Sequence, residues 1–583
     1  MAMAGDVLLR NQHFINNVPT VPIESLLGLV SCNPQLALFD FANVVVRKDY
    51  EEMDEVKLIA GGASGHEPCY AGFVGKGMLT AAIQGDIYIA PSSLNILRTI
   101  LELSTERCLG VLAIIANNCG DRLNFGLAIE RAQSMGIKAR LLVVTDDCSM
   151  MPKPREKRGL TGVFIVQKIA GELAKLGKTV EEIYDFCDDF QKNIFSISVS
   201  IKQCKNIELG SCYTCEYSLP KISLEIAAGL HGETGNIQMP LTSAENICKI
   251  IFNEMTNENN EHKLMIDATT PVIVLVNNLG SASKLEVNIF TKEILSYLRT
   301  LNVPVIRVII GKFITSIDMH GFIITIIQLK DPTTILPMLD EKVDCAAWVQ
   351  PLILDNTPDI NMLESKNKPS NNFELRGPRL GKRQANTFLL VIQFACDALI
   401  SCEKQINIID SEFGDGDAGT RIKQAAVAIN GQLPSPNLNC PFVFLLKIGS
   451  IFETATGGTT GCLYAIMFEA AGKQFMDVDE NLLVDGKMWL QALKRAISAL
   501  IMYTHSKEGD MTLIDPLCTC ARVMEESLNS NMSDVEAFGM AVASAEETAQ
   551  RTKIEPRSYP DPGAHAVGIW LRAVYEGVKL RCE

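Results

Sequence analysis

The 583-residue chain is short of several things, and each shortage excludes a class of protein. It has 3 Trp and 7 His, so a histidine in an unusual setting belongs to a small set. Basic residues are outnumbered, 53 Lys+Arg against 68 Asp+Glu for a net charge of −15, which argues against a protein that coats nucleic acid. The start, MAMAGDVLLRNQHF, lacks a basic segment followed by a long apolar one, so no secretory signal is read there. Apolar runs such as 271–276 and 303–314 are broken by polar residues well short of membrane-spanning length. Cysteine is plentiful, at 18, but scattered. Cys212/Cys215 and Cys518/Cys520 are the close pairs worth testing, and no second CxxC or nearby histidine completes a metal set. Free, reduced thiols in a cytosolic protein are expected, with no membrane and no nucleic acid as partner.

What is present points to a large folded molecule. A hydrophobic share of 47% supports real cores, and at roughly 150 residues per domain the length suggests about four folding units grouped into two larger domains. One substrate site does not need that much chain. Leu109–Ala116 and Arg140–Thr145 read as strands, and Asp121–Met135 between them as a helix closed by Gly136, a βαβ unit that implies a parallel sheet. Residues 270–330 repeat the texture around a helix at 285–300, so an α/β portion with two subdomains meeting near 190–220 is expected. After Leu352 the chain turns rich in Asn, Pro, Ser and charge, an interdomain linker over 351–386. Beyond it Trp489, Leu493, Ala496 and Leu500 mark a helix face, while FVFLL at 442–446 suits a strand or a buried helix. The predicted organisation is therefore 1–350 α/β and 387–583 all-α.

Three segments of the first portion carry chemistry. Gly61–Pro68 (GGASGHEP) follows an apolar run, and its small residues let the backbone approach a ligand while His66 offers acid or base function. A plain glycine turn explains the spacing equally well. Asp121 stands beyond a strand's carboxyl end at a helix start, where open α/β sheets place ligands and where an ordinary N-cap would also stand. His231 is flanked by glycines in GLHGETG, which suits a ring exposed to a cavity. In the second portion Asp410, Asp415 and Asp417 crowd into IIDSEFGDGDAGTR, and such carboxylates repel unless a hard cation neutralises them. A solvated acidic loop is the plainer reading. Gly457–Gly461 (GGTTG) precedes a helix and has no P-loop lysine, so a phosphate on backbone N–H groups fits it and a Walker-type site does not.

The segments GGASGHEPCYAGFVGKGMLTAAIQGDIYIAPSS (61–93), CGDRLNFGLA (119–128), GLHGETGN (229–236) and VNNLG (276–280) resemble the dihydroxyacetone kinases, as do DGDAGT, TGGTTG, GDMTLIDPL (509–517) and DPGA (561–564). The resemblance covers nearly the whole chain and includes the order of motifs. It implies an α/β DhaK-like domain (1–350) and an all-α DhaL-like barrel of eight helices (387–583). By this resemblance His231 binds dihydroxyacetone covalently as a hemiaminal, His66 and Asp121 are acid/base partners, and Ala63, Ser64, Gly65, His66 and Asp121 bind substrate. Asp410, Asp415 and Asp417 hold Mg²⁺. Asp415, Gly416, Asp417, Ala418, Thr459, Thr460, Thr512, Leu513, Asp561, Pro562 and Gly563 surround ATP. Further implications are glyceraldehyde as a second acceptor and a homodimer. Animal relatives also split FAD to cyclic FMN at the same metal site, with Mn²⁺ or Co²⁺ as alternative ions, and bind an innate-immune RNA sensor.

The pattern breaks at four places. The family's usual lysine five residues before the aspartate is Ala116, and the arginine of its GDRT motif is Met511, which removes a cation suited to a transferring phosphoryl group. The glycine loop carries threonines, and the loop before Asp561 is short. The expectation is a working kinase, with a weakened paralogue that acts as a regulatory binding protein as its rival. His13, His262, His320, His505 and His565 have no assigned role.

Overall fold

The computed structural model describes residues 13–149, 157–202, 223–354, 362–366, 374–432 and 439–582, so the Cys212/Cys215 pair lies outside the described residues. Contacts divide the chain into two compact units, Met1–Met362 and Leu363–Glu583.

The first unit contains two sheets. β1 (Leu36–Leu38), β2 (Val44–Arg47), β3 (Lys57–Ser64), β4 (Ala81–Ile87), β5 (Val111–Ala116) and β6 (Ala139–Val144) form one, in the order β1-β2-β4-β3-β5-β6. Its inner strands run parallel, β4 with β3, β3 with β5 and β5 with β6. β5 is apolar throughout because both its faces are covered. Val111, Ala113 and Ile115 pack with Ile96, Ile100 and Phe125 of the helices Ser93–Leu103 and Cys119–Ser134. Leu112 and Ile114 pack on the opposite side with Val163, Phe164 and Ile183 of Gly162–Lys175 and Val180–Gln191. The expected βαβ unit is thus β5, Cys119–Ser134 and β6, with Gly136 at φ 83 closing the helix.

The second sheet collects β7 (Ile194–Lys202), β8 (Ser223–Ile226), β9 (Ile237–Pro240), β10 (Val272–Asn278), β11 (Val305–Gly311), β12 (His320–Gln328) and β13 (Leu352–Ile353) in the order β13-β11-β10-β12-β7-β8-β9. Among the described strands only β10 and β11 pair in parallel, around the helix Lys284–Thr300. Ile273, Leu275 and Ile323 join the same apolar cluster as Leu112, whereas Val272, Val274 and Ile324 pack under Ala244–Met255 and Lys284–Thr300. Residues Gly162 to Ala174 are all buried, so their helix lies between the sheets and is apolar around most of its circumference.

Among the described residues the second unit is all-α. Eight long helices, Lys382–Ser401, Ala418–Gln432, Pro441–Thr456, Gly458–Lys473, Gly486–Thr504, Ile514–Asn529, Asp534–Arg551 and Pro562–Cys582, each pack on the next, and the last returns to the first. The ring is the expected eight-helix barrel, with a short ninth segment, Glu403–Asp410, after the first. FVFLL lies inside Pro441–Thr456 with all five residues buried: an apolar run whose period is hidden by burial reads alike for strand and helix. Lys382–Ser401 is long and apolar enough to cross a membrane by length and composition alone, a match missed in the sequence reading. It buries Val391, Ala395, Cys396 and Leu399 and packs on Pro562–Cys582, the behaviour of a bundle helix.

Candidate functional site

β3 and β5 are parallel neighbours, and β4 returns on the far side of β3, so the crevice beyond their carboxyl ends is a topological switch point. A cavity of about 80 Å³ opens there. It is lined by Ala63 near the end of β3 and His66 after it, Asp121 after β5, Arg158 to Leu160 after β6, and His231 after β8. Close backbone approach makes this convergence feasible. A Cβ on Gly61 would lie 2.3 Å from the Ile83 carbonyl oxygen, and one on Gly62 3.3 Å from Asp121 Oδ2. Ser64 and Gly65 do not line the cavity. The Ser64 hydroxyl donates to the Gly85 carbonyl at 2.7 Å, and Gly65, at φ 98, lies under Tyr88.

His66 and His231 meet edge to face, Nε2 to Nε2 at 3.0 Å. His66 Nδ1 lies 2.8 Å from the Thr315 carbonyl oxygen, which only accepts, so Nδ1 carries the hydrogen. Burial, then the neighbouring His231, pushes His66 down to about 3, so its Nε2 is a bare acceptor. His231 Nε2 therefore holds the hydrogen of their contact. Across the ring His231 Nδ1 faces Glu233 Oε1 at 3.6 Å, and the other Glu233 oxygen accepts the His231 backbone N–H at 3.0 Å. Burial opposes ionisation of Glu233, yet these His231 bonds hold it down to about 2. Asp121 is buried with Oδ1 lacking a hydrogen-bond partner among the described residues. Burial raises its carboxyl to about 7 against the pull of His231 and Asn118. That combines a nucleophile and a base poised near neutrality in one cavity. Ala116, six per cent exposed at the end of β5, lines the same wall.

In the helical unit Asp410, Asp415 and Asp417 bring one oxygen each to within 4.8 Å of one another. An all-carboxylate set fits a hard divalent cation. Two neighbours shape it: the Ala418 N–H donates to Asp410 Oδ2 at 3.0 Å, and Arg421 Nε donates to Asp417 Oδ2 at 2.7 Å. Arg421 also reaches the Thr456 carbonyl, tying the acidic turn to the glycine loop. Gly457 and Gly458 take φ 57 and 58 and have open space beside them, ahead of Thr459 and Thr460. Asp515, missed in the sequence reading, accepts the Gly509 and Thr512 N–H groups at 2.6 and 2.8 Å and so shapes the loop carrying Met511. A Cβ on Gly563 would lie 3.3 Å from Leu513, which places Thr512–Leu513 beside Asp561–Gly563. Asp561 caps its helix by accepting the Ala564 N–H, and burial raises its carboxyl. Glu412 accepts the Ser558 and Tyr559 N–H groups and anchors the short loop ahead of Asp561. The four predicted segments are thus tied in pairs: the acidic turn with the glycine loop and with the loop before Asp561, and Thr512–Leu513 with Asp561–Gly563. A larger cavity, about 410 Å³ beside Ala398, Glu546 and Arg572, contains none of their residues.

Arg158 had no signal in local sequence, because its partners Asp147 and Ala227 are set by the fold; Glu233, Arg421 and Asp515 lie within the quoted motifs, but their roles come from how those loops fold onto His231, Asp417 and Thr512. The remaining histidines lie elsewhere: His320 bonds Glu286 at 2.7 Å, His505 ends a helix at φ 59, and His565 meets Gln550 at 3.4 Å. Cys518 and Cys520 are free, and burial pushes them up to about 11 and 12, which excludes a reactive pair at neutral pH.

Residues 27–347 match the Dak1 domain and residues 412–576 the DAK2 domain. The human triokinase/FMN cyclase is 31% identical over 97% of this chain and 99% of its own. The dihydroxyacetone kinase of C. freundii in complex with AMP-PNP and Mg²⁺ superimposes with a TM-score of 0.68 at 27% identity, over 97% of this chain and 99% of that one. A dihydroxyacetone kinase operon co-activator, DhaQ, covers 57% of this chain and 99% of its own at 30% identity and a TM-score of 0.52.

Proposed function

The chain belongs to the single-chain dihydroxyacetone kinase family, and from that premise we propose that it transfers the γ-phosphoryl group of ATP to dihydroxyacetone, and also to glyceraldehyde. The observation that carries this reading is the cavity in which His231, His66 and Asp121, from three separate segments, share one wall.

His231 is the nucleophile toward the ketone. In the free pocket its Nε2 hydrogen points at His66, and attack needs the other tautomer, with the hydrogen on Nδ1 toward Glu233. As the C–N bond forms the carbonyl π bond breaks, its oxygen takes up a proton to become a hydroxyl and Nδ1 releases its hydrogen toward Glu233, so the step needs no net proton and leaves a terminal hydroxyl to act as acceptor. Asp121, ionised above about 7, takes the proton from that hydroxyl as it attacks the γ-phosphorus, and ADP leaves with the electrons of the broken P–O bond. Asp410, Asp415 and Asp417 would hold Mg²⁺, which supplies charge neutralisation of the ATP phosphates when bound. Gly457–Thr460 supply backbone N–H groups and hydroxyls to the same phosphates. FAD cleavage to cyclic FMN at this metal site, also with Mn²⁺ or Co²⁺, extends the proposal, supported by the name of the human relative.

The rival is a regulatory binding protein, with an innate-immune RNA sensor as one partner; Ala116 and Met511 favour it, as does the co-activator relative. ATP consumption with dihydroxyacetone and Mg²⁺ separates the two readings. Turnover is expected, and intact nucleotide binding without turnover would sink the kinase assignment. In the same assay His231→Ala should lose the covalent ketone adduct seen by mass spectrometry. An adduct that persists in the variant places the nucleophile elsewhere.

A further inference from the structure

A pocket that phosphorylates its ligand must tolerate a strongly anionic product. Among the described residues it is lined by two carboxylates, Asp121 and Glu233, and by one permanent cation, Arg158. The guanidinium is fixed along one edge. Its Nε donates to Asp147 Oδ2 at 2.7 Å and its Nη2 to the Ala227 carbonyl at 2.9 Å, while Nη1 has no hydrogen-bond partner among the described residues. Asp147 is itself buried, its side chain 1% exposed, and its backbone N–H donates to the Arg158 carbonyl at 3.1 Å.

The following residues hold this wall in place. A Cβ on Gly159 would lie 2.3 Å from Asn117 N and 2.6 Å from Ala116 Cα, so the segment is pressed against the stretch leading to Asp121. Leu160 and Gly162 then donate their N–H groups to the two oxygens of Asp146 at 2.6 and 2.7 Å.

We infer that Arg158 binds the phosphoryl group as it arrives on the acceptor, so that its free edge makes the pocket competent for the phosphorylated product. The inference rests on the acceptor-pocket reading above. A planar guanidinium anchored on one side loses little freedom when its other side meets phosphate oxygens. It also offsets the repulsion that Asp121 and Glu233 exert on an incoming dianion. A neutral ketone makes no such demand, so the residue discriminates between substrate and product.

The alternative is a strut: through Asp147 and Ala227 the same side chain joins the segment after β6 to the end of β8. Binding measurements on the full chain separate the two roles. Arg158→Gln and Arg158→Lys should be compared with the parent for covalent capture of dihydroxyacetone and for affinity toward dihydroxyacetone phosphate. The expected result is a loss of roughly tenfold or more in product affinity for Arg158→Gln, with ketone capture unchanged and the lysine variant intermediate. Equal losses for both ligands would establish the strut and overturn the inference, as would an unchanged product affinity. A parent protein that captures no ketone and binds no product would instead overturn the acceptor-pocket reading.

Discussion

Asp121 ties activity and stability to pH through one buried carboxyl. Burial is the largest influence on it and raises it from 3.8 to about 7. As a base it must be ionised, so kcat/KM should fall about tenfold per pH unit below about 7 and level off above. Asp121→Asn should abolish most activity and remove this limb; a residual profile that still bends near 7 would point to a different base. The same shift governs stability with a definite sign. Between 3.8 and about 7 the folded chain keeps a proton that the unfolded chain has released, so stability falls as pH rises through that window. The full penalty, roughly 4 kcal/mol at about 1.4 kcal/mol per pH unit, is in place above about 7. Asp121→Asn should therefore raise the melting temperature at pH 8 and leave it unchanged near pH 3. Met511 is the second informative residue. It is exposed, in a left-handed conformation at φ 59, on the loop that Asp515 holds. If that loop faces ATP, Met511→Arg should supply a cation to the transferring group and raise kcat roughly tenfold or more, with KM for ATP little changed. An unchanged kcat would show that the charge is supplied elsewhere, with Arg421 a candidate through its bond to Asp417.

At the scale of an element, the turn between the helices Pro441–Thr456 and Gly458–Lys473 shows how backbone shape and phosphate binding coincide. Gly457 sits at φ 57 and ψ −163, a region in which L side chains are strained, and nothing crowds it. Gly457→Ala should thus cost about 1–3 kcal/mol through backbone strain alone and weaken ATP binding, whereas Thr459→Ala leaves the backbone intact and should cost less affinity. Calorimetric titration with Mg-ATP would rank the two, and a larger loss for the threonine would shift the burden from backbone N–H groups to hydroxyls. This loop was legible beforehand because glycines, hydroxyls and a following helix are contiguous. So were Asp410, Asp415 and Asp417, eight residues from first to last, and β5, whose unbroken apolar run follows from helices on both faces. Arg158 was not legible, nor was the role of Glu233. Their partners, Asp147 with Ala227 and the ring of His231, are fixed by how the segments after β6 and β8 fold back. Ser64 illustrates the converse, a contiguous motif residue whose hydroxyl is already spent on the Gly85 carbonyl.

At the scale of the molecule, the length that exceeds the needs of one site is accounted for by two units, each with its own architecture and its own chemistry. Met1–Met362 closes its sheets over clusters centred on Leu112, Val274 and Ile115. Leu363–Glu583 closes its helical ring over clusters centred on Leu517, Ile406 and Phe475. The cavity with His231 belongs wholly to the first, and the three-aspartate turn wholly to the second. Ligands should therefore stabilise the units separately. A ligand at about 100 times its Kd adds about 2.7 kcal/mol to the state that binds it, and for a unit the size of the second this is worth roughly 5–10 °C. In scanning calorimetry of the full chain, dihydroxyacetone should move only the transition of the α/β unit, and Mg-ATP only that of the helical unit. Asp415→Ala should cancel the second shift without touching the first, and His231→Ala the reverse. A single transition that either ligand shifts would mean that the units unfold as one, and the catalytic consequence would differ too. Acceptor capture would then respond to nucleotide, whereas independent units leave the rate of adduct formation the same with and without Mg-ATP.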